Sequence, residues 1–494
     1  MQENTQLFKN NAICLKTLNI ILFLWTAFLI IYYRNFFGGD PEIHLIFAKN
    51  FLQGHFLEFN PGYKTGGETS PLYMLIVACI YFIMGDYTQY GMKFISICSL
   101  GLIAYFLYKS TDSQELQRKL FGVITFTSMT FIPFHTMIGM ENILFASAIL
   151  TIVYFFERGR IEKILLIAVP MCFLLRPETI FLSIYIFLKG LKDRNVRHII
   201  IALIAISTCF ILYQTLNIYS GIDTHNAGSV RILLSKIDSF VLNIGSLTIY
   251  ISKKPFIGFV YIWLLLTIIV LKSDLITKND LVLLVSFFVL PATLHILNIL
   301  PNAHFSRYVI YIYVIFFYLF CNRVLPLLST RSILVTGTIF LCLAIVEFKQ
   351  RKSLAFYSVH QSIESMKPEN IKMYSDFLFT RLQENQHPSI VLASTEVQLR
   401  GTVDNRFIVW SLDGITDAHM KTFANEVKFD HFAYIKYRNI RYLTDIPDYN
   451  IDKSQQSLSD FQFDKNGNSQ CINGISLSKL TDVGLYKIST CNGE

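Results

Sequence analysis

Long apolar runs recur between residues 15 and 346 of this chain, and they limit its fold more than any other sequence feature. A helix needs about 20 apolar residues to cross the roughly 30 Å hydrocarbon core of a bilayer, and fewer when flanking cations reach the headgroups. The pattern predicts an all-α polytopic membrane domain with about 11 transmembrane helices, several of them short. The predicted spans are residues 15–33, 89–108, 120–138, 143–156, 164–175, 179–188, 199–219, 256–271, 281–300, 308–321 and 333–346.

Composition supports this fold class. Of 494 residues, 53% are hydrophobic and only 16% are charged, whereas soluble domains carry about a quarter charged residues. The net charge of +8 is spread over short Lys and Arg clusters between apolar runs, and no basic block accompanies it. This distribution is typical of membrane orientation and gives no indication of a nucleic-acid partner.

The stretch Pro71–Met84 decides the predicted topology. If it lies at the outer surface without crossing, the later cation clusters all face the cytoplasm with Lys9 and Lys16; a twelfth span would place most of them outside. Its 14 residues are also too few to cross comfortably. We therefore predict a juxtamembrane helix here, within a multi-pass protein of the cell inner membrane. The predicted outer segments are residues 34–88, 139–142, 176–178, 220–255, 301–307 and everything after about 349.

The sequence changes character near residue 349, which predicts a membrane domain at 1–349 and a small extracytoplasmic α/β domain at 350–494. Short apolar stretches at 389–393, 407–412, 440–443 and 484–488 predict strands, and residues 418–427 predict a helix. Of nine cysteines, only Cys471 and Cys491 lie in this part. Outside the cytoplasm they are expected to form a disulfide, which would stabilise a loop of this size by about 3 kcal/mol.

The first outer loop is the richest in polar residues. From Ile43 onward, apolar residues repeat at helical spacing, which predicts an amphipathic helix on the membrane surface with Asp40 at its N-terminal approach. Asp40 would lie near the headgroup plane, although an Asp there also suits a helix cap. His44 and His55 lack a second ligand at metal-binding spacing, so no metal site is predicted.

Residues 40–54 and 59–73 together resemble the first outer loop of the GT-C superfamily of integral-membrane glycosyltransferases. This group includes the protein mannosyltransferases, the aminoarabinose transferase of lipid A and the mycobacterial arabinofuranosyltransferases. The shared features are an acid followed by Ile-His, then Phe-Ala, Phe-Asn-Pro-Gly and Thr-Ser-Pro-Leu. Three later segments are similar to the family's Gly-Met-Glu-Thr, Arg-Pro-Glu and Arg-Tyr, namely residues 139–142, 176–178 and 306–308. Relatives often carry two adjacent acids, whereas here Gly39 precedes Asp40.

The resemblance implies transfer of a sugar from a polyprenyl-phosphate donor to a glycan, lipid or protein acceptor at the outer membrane face. Such a transfer needs a general base and cationic help for the departing phosphate. Asp40 is the predicted base, and Glu141 is expected to orient the acceptor or bind the sugar. The predicted substrate-binding residues are Glu42, His44, Arg176, Glu178, Arg307 and Tyr308, with Arg176 and Arg307 on the phosphate and Glu178 paired to Arg176. No cofactor is predicted with certainty, and a divalent cation stays open.

The sequence alone also allows simpler roles for some of these residues and other functions for the chain. Arg307 at a helix start would also anchor that helix at the headgroups, and Arg176 with Glu178 would also form a structural pair. A transporter or flippase would show related halves and ionisable residues near helix centres, and neither is visible in the sequence. A lipid-linked glycan ligase or polymerase shares the donor type but has its large loop late in the chain, whereas the long loop here comes first.

Overall fold

The structure is a computed structural model of the full chain. It describes residues 2–34, 40–65, 68, 70–111, 115–219, 277–289 and 310–365, and separate strands and turns between 390 and 491. The predicted span 256–271 and most of 281–300 lie outside the described residues, as do Arg307 and Tyr308.

The described part is predominantly helical. Apolar side chains of most of these helices pack into one continuous core, which is rich in Leu, Ile, Phe and Tyr. The helices Lys278–Leu284 and Ile310–Leu319 each continue through a π-helical turn, at Val285–Val289 and Phe320–Val324, respectively. The helices are α1 (Gln2–Tyr33), α2 (Asp40–Leu52), α3 (Pro71–Met84), α4 (Thr88–Ser110), α5 (Leu116–Ser128), α6 (Phe131–Ile138), α7 (Glu141–Glu157), α8 (Leu165–Leu175), α9 (Ile180–Lys192), α10 (Val196–Tyr219), α11 (Lys278–Leu284), α12 (Ile310–Leu319) and α13 (Thr330–Ser365).

Several helices are long and apolar enough to cross a membrane, which indicates a lipid bilayer environment. Among the described residues there are five such segments, or six if the bent pair α5 and α6 forms one span. One of the five, Pro71–Ser110, joins α3 to α4 through a tight turn at Gly85–Tyr87. The helices α7, α8 and α9, with 17, 11 and 13 residues, are shorter than these segments. The described residues do not confirm the predicted number of 11 spans, because two of the predicted spans lie wholly or largely outside them.

The predicted span at 120–138 is not one continuous helix, because the chain bends by 65° between α5 and α6. Pro133 accounts for the break, since its ring clashes with the carbonyl four residues earlier and it has no N–H to donate there. That carbonyl belongs to Met129, at the end of α5. Next to the break, the hydroxyl of Thr130 donates a hydrogen bond of 2.7 Å to the carbonyl of Ala344 in α13.

The helix α2 is more buried than a helix on a membrane surface. Its predicted apolar residues Ile43, Ile46 and Phe47 are buried, but so are the polar residues His44 and Asn50. The helix packs against α3 and against a small hairpin made of β1 (Glu58–Asn60) and β2 (Tyr63–Lys64). The Asn50 amide donates hydrogen bonds of 2.8 Å to two carbonyls of β1. The segment predicted as the first outer loop is thus folded onto the helical bundle.

The strands of the C-terminal part are β3 (Ile390–Ser394), β4 (Phe407–Ser411), β5 (Ala424–Asn425), β6 (Lys428–Phe429), β7 (Tyr442–Leu443), β8 (Ile475–Lys479) and β9 (Tyr486–Thr490). Five of them form a mixed sheet with the order β4-β3-β7-β9-β8. The strand β3 is parallel to β4 and β7, whereas β9 is antiparallel to β7 and β8. The predicted helix at 418–427 is wrong where the chain is described, because β5 and β6 form a hairpin there. The helix α13 also continues beyond the predicted domain boundary at 349.

Polar contacts lie at both ends of the helical bundle, and α7 runs from one end to the other. At its C-terminal end, Glu157 accepts hydrogen bonds from Tyr185 and Tyr318. Near this end of α7, helix ends that carry several cations form two ion pairs, Arg323 with Asp280 and Arg197 with Glu162. The 17 residues of α7 separate this end from Glu141 by roughly 25 Å, at 1.5 Å per residue.

Candidate functional site

A chain of buried charged side chains joins four segments that are distant in sequence. His44 comes from α2, Glu68 from the loop before α3, Glu141 from the first position of α7, and Arg176 and Glu178 from the turn between α8 and α9. Each of the five residues is less than 8% exposed. Because charged groups are rarely buried unless they are paired, their mutual contacts must compensate for lost hydration.

His44 lies between two carboxylates. Its Nδ1 atom is 2.9 and 3.1 Å from the two Glu68 oxygens, and its Nε2 atom is 3.1 Å from Oε2 of Glu141. Both ring nitrogens can donate only when the imidazole carries two protons. Burial alone lowers the pKa of His44, but the charges and hydrogen bonds of Glu68 and Glu141 outweigh burial and raise this pKa to about 10. His44 is therefore a cation at neutral pH.

Arg176 bridges the other side of the network. Its Nε and Nη2 atoms donate to the two oxygens of Glu178 at 3.1 and 2.7 Å, as a bidentate pair. Its Nη1 atom donates to Oε1 of Glu141 at 2.6 Å and to Oδ1 of Asn142 at 2.5 Å. Pro177 explains the local backbone, because a residue before proline is driven out of the helical region. Arg176 is accordingly extended, with φ −159° and ψ 136°, and it ends α8.

A glycine turn places Glu141 at the start of α7. Gly139 has φ 78° and ψ 36°, a left-handed conformation that glycine adopts without steric cost. The Tyr73 hydroxyl donates a hydrogen bond of 2.6 Å to the Gly139 carbonyl and so ties α3 to this turn. A carboxylate at a helix N-terminus is also favoured by the helix dipole. Both oxygens of Glu141 face cations, one from His44 and one from Arg176.

The structure brings together four of the predicted site residues, namely His44, Glu141, Arg176 and Glu178. Asp40 is the first residue of α2, about one turn before His44, and its side chain lies outside the described part. Glu42 is partly buried on the same helix. The predicted residues Arg307 and Tyr308 lie outside the described residues. Far along the chain, Cys471 and Cys491 form a disulfide, with a Cα–Cα distance of 6.1 Å.

Two residues of this region were missed by sequence reasoning. Glu68 is buried and accepts a hydrogen bond of 2.7 Å from the Ser70 backbone N–H, in addition to its contacts with His44. The sequence feature that could have identified Glu68 is its position, as an acid inside the segment that resembles the GT-C loop. Lys93 is a buried cation in the mostly apolar α4, and its Nζ atom donates to the carbonyl of Arg34 at 2.6 Å. A single lysine within a predicted span is the signal that could have found it.

The network is suited to holding a geometry rather than to moving protons. The guanidinium of Arg176 keeps its charge in proteins, and the imidazolium of His44 is stabilised by carboxylates on both sides. In the part of the chain that the structure describes, no group of three or more His, Cys, Asp and Glu side chains is arranged to hold a metal ion.

Comparisons with known proteins identify no family for this chain. No protein-family model matches it, and a search of the curated proteins finds no significant match. Its function must therefore be argued from the residues of the site.

Proposed function

We propose that this protein is a membrane glycosyltransferase of the GT-C type, which transfers a sugar from a polyprenyl-phosphate donor to a hydroxyl group of a glycan, lipid or protein acceptor. The observation that carries the proposal is the meeting of three segments singled out by the resemblance. Residues 40–73, 139–142 and 176–178 each contribute a charged side chain to one buried network. Segments that only shared a sequence pattern by chance would have no reason to converge on the same buried cluster.

Asp40 is the proposed general base. The acceptor hydroxyl gives its proton to the Asp40 carboxylate while its oxygen attacks the anomeric carbon of the donor sugar. The bond between that carbon and the phosphate oxygen breaks, and its electron pair leaves with the polyprenyl phosphate. His44 and Glu141 are less suited to accept the proton, because each is already held by buried partners of opposite charge.

The departing phosphate gains negative charge and needs a cation. We propose Arg307 for this role, with Tyr308 beside it. Arg176 is the weaker candidate, because its guanidinium already binds Glu178 in a bidentate manner and also contacts Glu141. Binding a phosphate there would require these buried pairs to break, at a cost of several kcal/mol. We therefore assign Arg176 and Glu178 to the support of the site.

The proposed orientation places the network at the outer membrane face. Cation-rich helix ends lie at the opposite end of α7, where the positive-inside rule favours the cytoplasm. A disulfide in the C-terminal part is consistent with an oxidising compartment on the outer side of the cell inner membrane. Labelling of single cysteines tests this orientation: Gly85→Cys should react with an impermeant thiol reagent from outside and Ser113→Cys should not. The reverse labelling pattern would contradict the topology.

The function is tested by deleting the gene and analysing lipopolysaccharide, surface glycans and glycoproteins by mass spectrometry. We expect one glycan to lose a single sugar residue, and the wild-type gene to restore it. Asp40→Asn should fail to restore it, whereas Asp86→Asn, which changes an exposed aspartate near the start of α4, should succeed. Unchanged glycans would contradict the proposal, and loss of a complete polysaccharide chain would favour a lipid-linked glycan ligase or polymerase.

A further inference from the structure

We infer that Glu68 and His44 are positioning residues, which lock the first outer loop onto the start of α7 and thereby fix the backbone at Asp40. This inference rests on the proposed function, because it concerns the geometry of the proposed base. It differs from the sequence prediction, which placed His44 on the substrate and did not assign a role to Glu68.

We call the contacts of His44 with Glu68 and Glu141 the clamp. One ring nitrogen binds the loop before α3 through Glu68, and the other binds α7 through Glu141, at distances between 2.9 and 3.1 Å. The side chain of Glu68 has no exposed surface, and that of His44 is 6% exposed. A substrate would have to displace one of these carboxylates to reach the ring. Direct binding of substrate by His44 is therefore disfavoured.

A second contact runs beside the clamp. The ring of Tyr73 in α3 packs edge-on against the ring of His44, with centroids 5.2 Å apart and an interplanar angle of 82°. The hydroxyl of Tyr73 in turn donates to the Gly139 carbonyl, two residues before Glu141. Two separate contacts, His44 with Glu141 and Tyr73 with Gly139, therefore join α2 and α3 to the start of α7. Such paired connections restrict rotation of α2 as well as translation.

The clamp acts on Asp40 through the helix. Asp40 and His44 are four residues apart on α2, and such residues lie on the same face of a helix. A shift of His44 therefore moves the helix start. Displacing a catalytic group by about 1 Å can cost roughly 10²-fold in rate. Loss of the clamp should accordingly lower kcat and leave the KM for the donor nearly unchanged.

The clamp also predicts a change in the pH profile. The groups that face His44 are Glu68 from the loop, Tyr73 from α3 and Glu141 from α7, with Arg176 behind Glu141. With both carboxylates present, His44 keeps its proton, so wild-type kcat should show no histidine ionisation between about pH 6 and 8. In Glu68→Gln, fewer negative charges oppose the effect of burial, so the pKa of His44 falls. Because His44 then loses its proton within that range, kcat should decrease as the pH rises through it.

The test uses full-length protein in lipid nanodiscs and has two independent readouts. The first is a double-mutant cycle of thermal unfolding with Glu68→Gln and His44→Gln. We expect the double variant to lose less in Tm than the sum of the single variants, because both changes break the same contact. The matched control is Glu58→Gln with His55→Gln, a more exposed pair of the same loop with an Nδ1–Oε2 distance of 2.9 Å, for which we expect small effects. Additive losses for Glu68 and His44 would overturn the clamp.

The second readout is transfer from a polyprenyl-phosphate sugar. We expect Glu68→Gln to lower kcat by about 10²-fold with the new pH dependence and an unchanged donor KM, and Glu68→Asp to recover part of the rate. A raised donor KM with unchanged kcat would overturn the inference and return His44 to substrate binding. The unfolding cycle does not depend on turnover. Coupling in the cycle together with an inactive wild-type protein would therefore reject the proposed function and leave the clamp standing.

Discussion

Replacing Arg176 by methionine should strongly destabilise the protein, because it removes the cation that two buried carboxylates share. The guanidinium donates four hydrogen bonds of 2.5 to 3.1 Å, two to Glu178, one to Glu141 and one to Asn142. Removing one partner of a buried ion pair costs about 3–5 kcal/mol. Because two carboxylates lose a partner here, we expect a loss in the upper half of that range, about 4–5 kcal/mol.

Chemical unfolding in detergent micelles, followed by circular dichroism, measures this loss as a change in the free energy of unfolding. Adding Glu178→Gln to Arg176→Met should recover about 1 kcal/mol or more, since one uncompensated charge is then removed. The control is Arg197→Met at the other end of the bundle, where the side chain is 76% exposed and lies 3.5 Å from Glu162. It should cost less than about 1 kcal/mol. An equal effect of Arg176→Met and Arg197→Met would refute the picture of a closed, water-excluded network.

Three further predictions concern the region around the site, and a fourth concerns the disulfide in the C-terminal part. Gly139→Ala should lower stability by about 1–2 kcal/mol, because alanine is strained at φ 78°, and thermal unfolding measures it. Lys93→Met should cost about 1.5–3 kcal/mol, since the partly buried hydrogen bond to the Arg34 carbonyl loses its charged donor, whereas Lys93→Arg should cost less in the same assay. The pKa of His44 is raised from 6.5 to about 10, so its contribution to stability is complete below about pH 6.5 and is lost as the pH rises towards 10. The stability of His44→Gln should therefore vary less than that of the wild type over this interval. Non-reducing peptide mapping of protein from native membranes should recover Cys471 and Cys491 as one linked peptide, and two free thiols would contradict the disulfide.

The sequence predicted those parts of the fold that depend on local apolar periodicity. The bounds of Pro71–Met84 agree with the observed helix, and four strands of the C-terminal sheet lie close to their predicted positions. The bend after Ser128 was missed because residues 120–138 are mostly apolar and long enough for one span, and Pro133 is the residue that signals the interruption. The helix predicted at 418–427 failed because Ala424 and Asn425 pair with Phe429 and Lys428 in a tight hairpin, and such cross-strand pairing can outweigh local helix propensity.

The sequence predicted most of the residues that form the candidate site, but it predicted only some of the contacts between them. The resemblance selected Glu141 and Arg176, and the pairing of Arg176 with Glu178 was expected from their spacing. The contact between Glu141 and His44 joins residues 97 positions apart, and no local pattern determines it. Glu68 was missed for the same reason, because the importance of an acid in a loop depends on which cation the folded chain places beside it.

The central claim, that Asp40 is the base of a sugar transfer, is tested most directly by comparing turnover and donor binding in wild type and Asp40→Asn. Asparagine keeps the size and most of the hydrogen-bonding shape of Asp40 but cannot accept the proton. We predict a rate loss of about 10² to 10⁴, as expected when a general base is removed, with an unchanged Kd for the polyprenyl-phosphate donor. Glu42 lies two residues away on α2, so Glu42→Gln and the double variant belong to the same measurement. Wild-type turnover by the double variant would contradict the proposed mechanism.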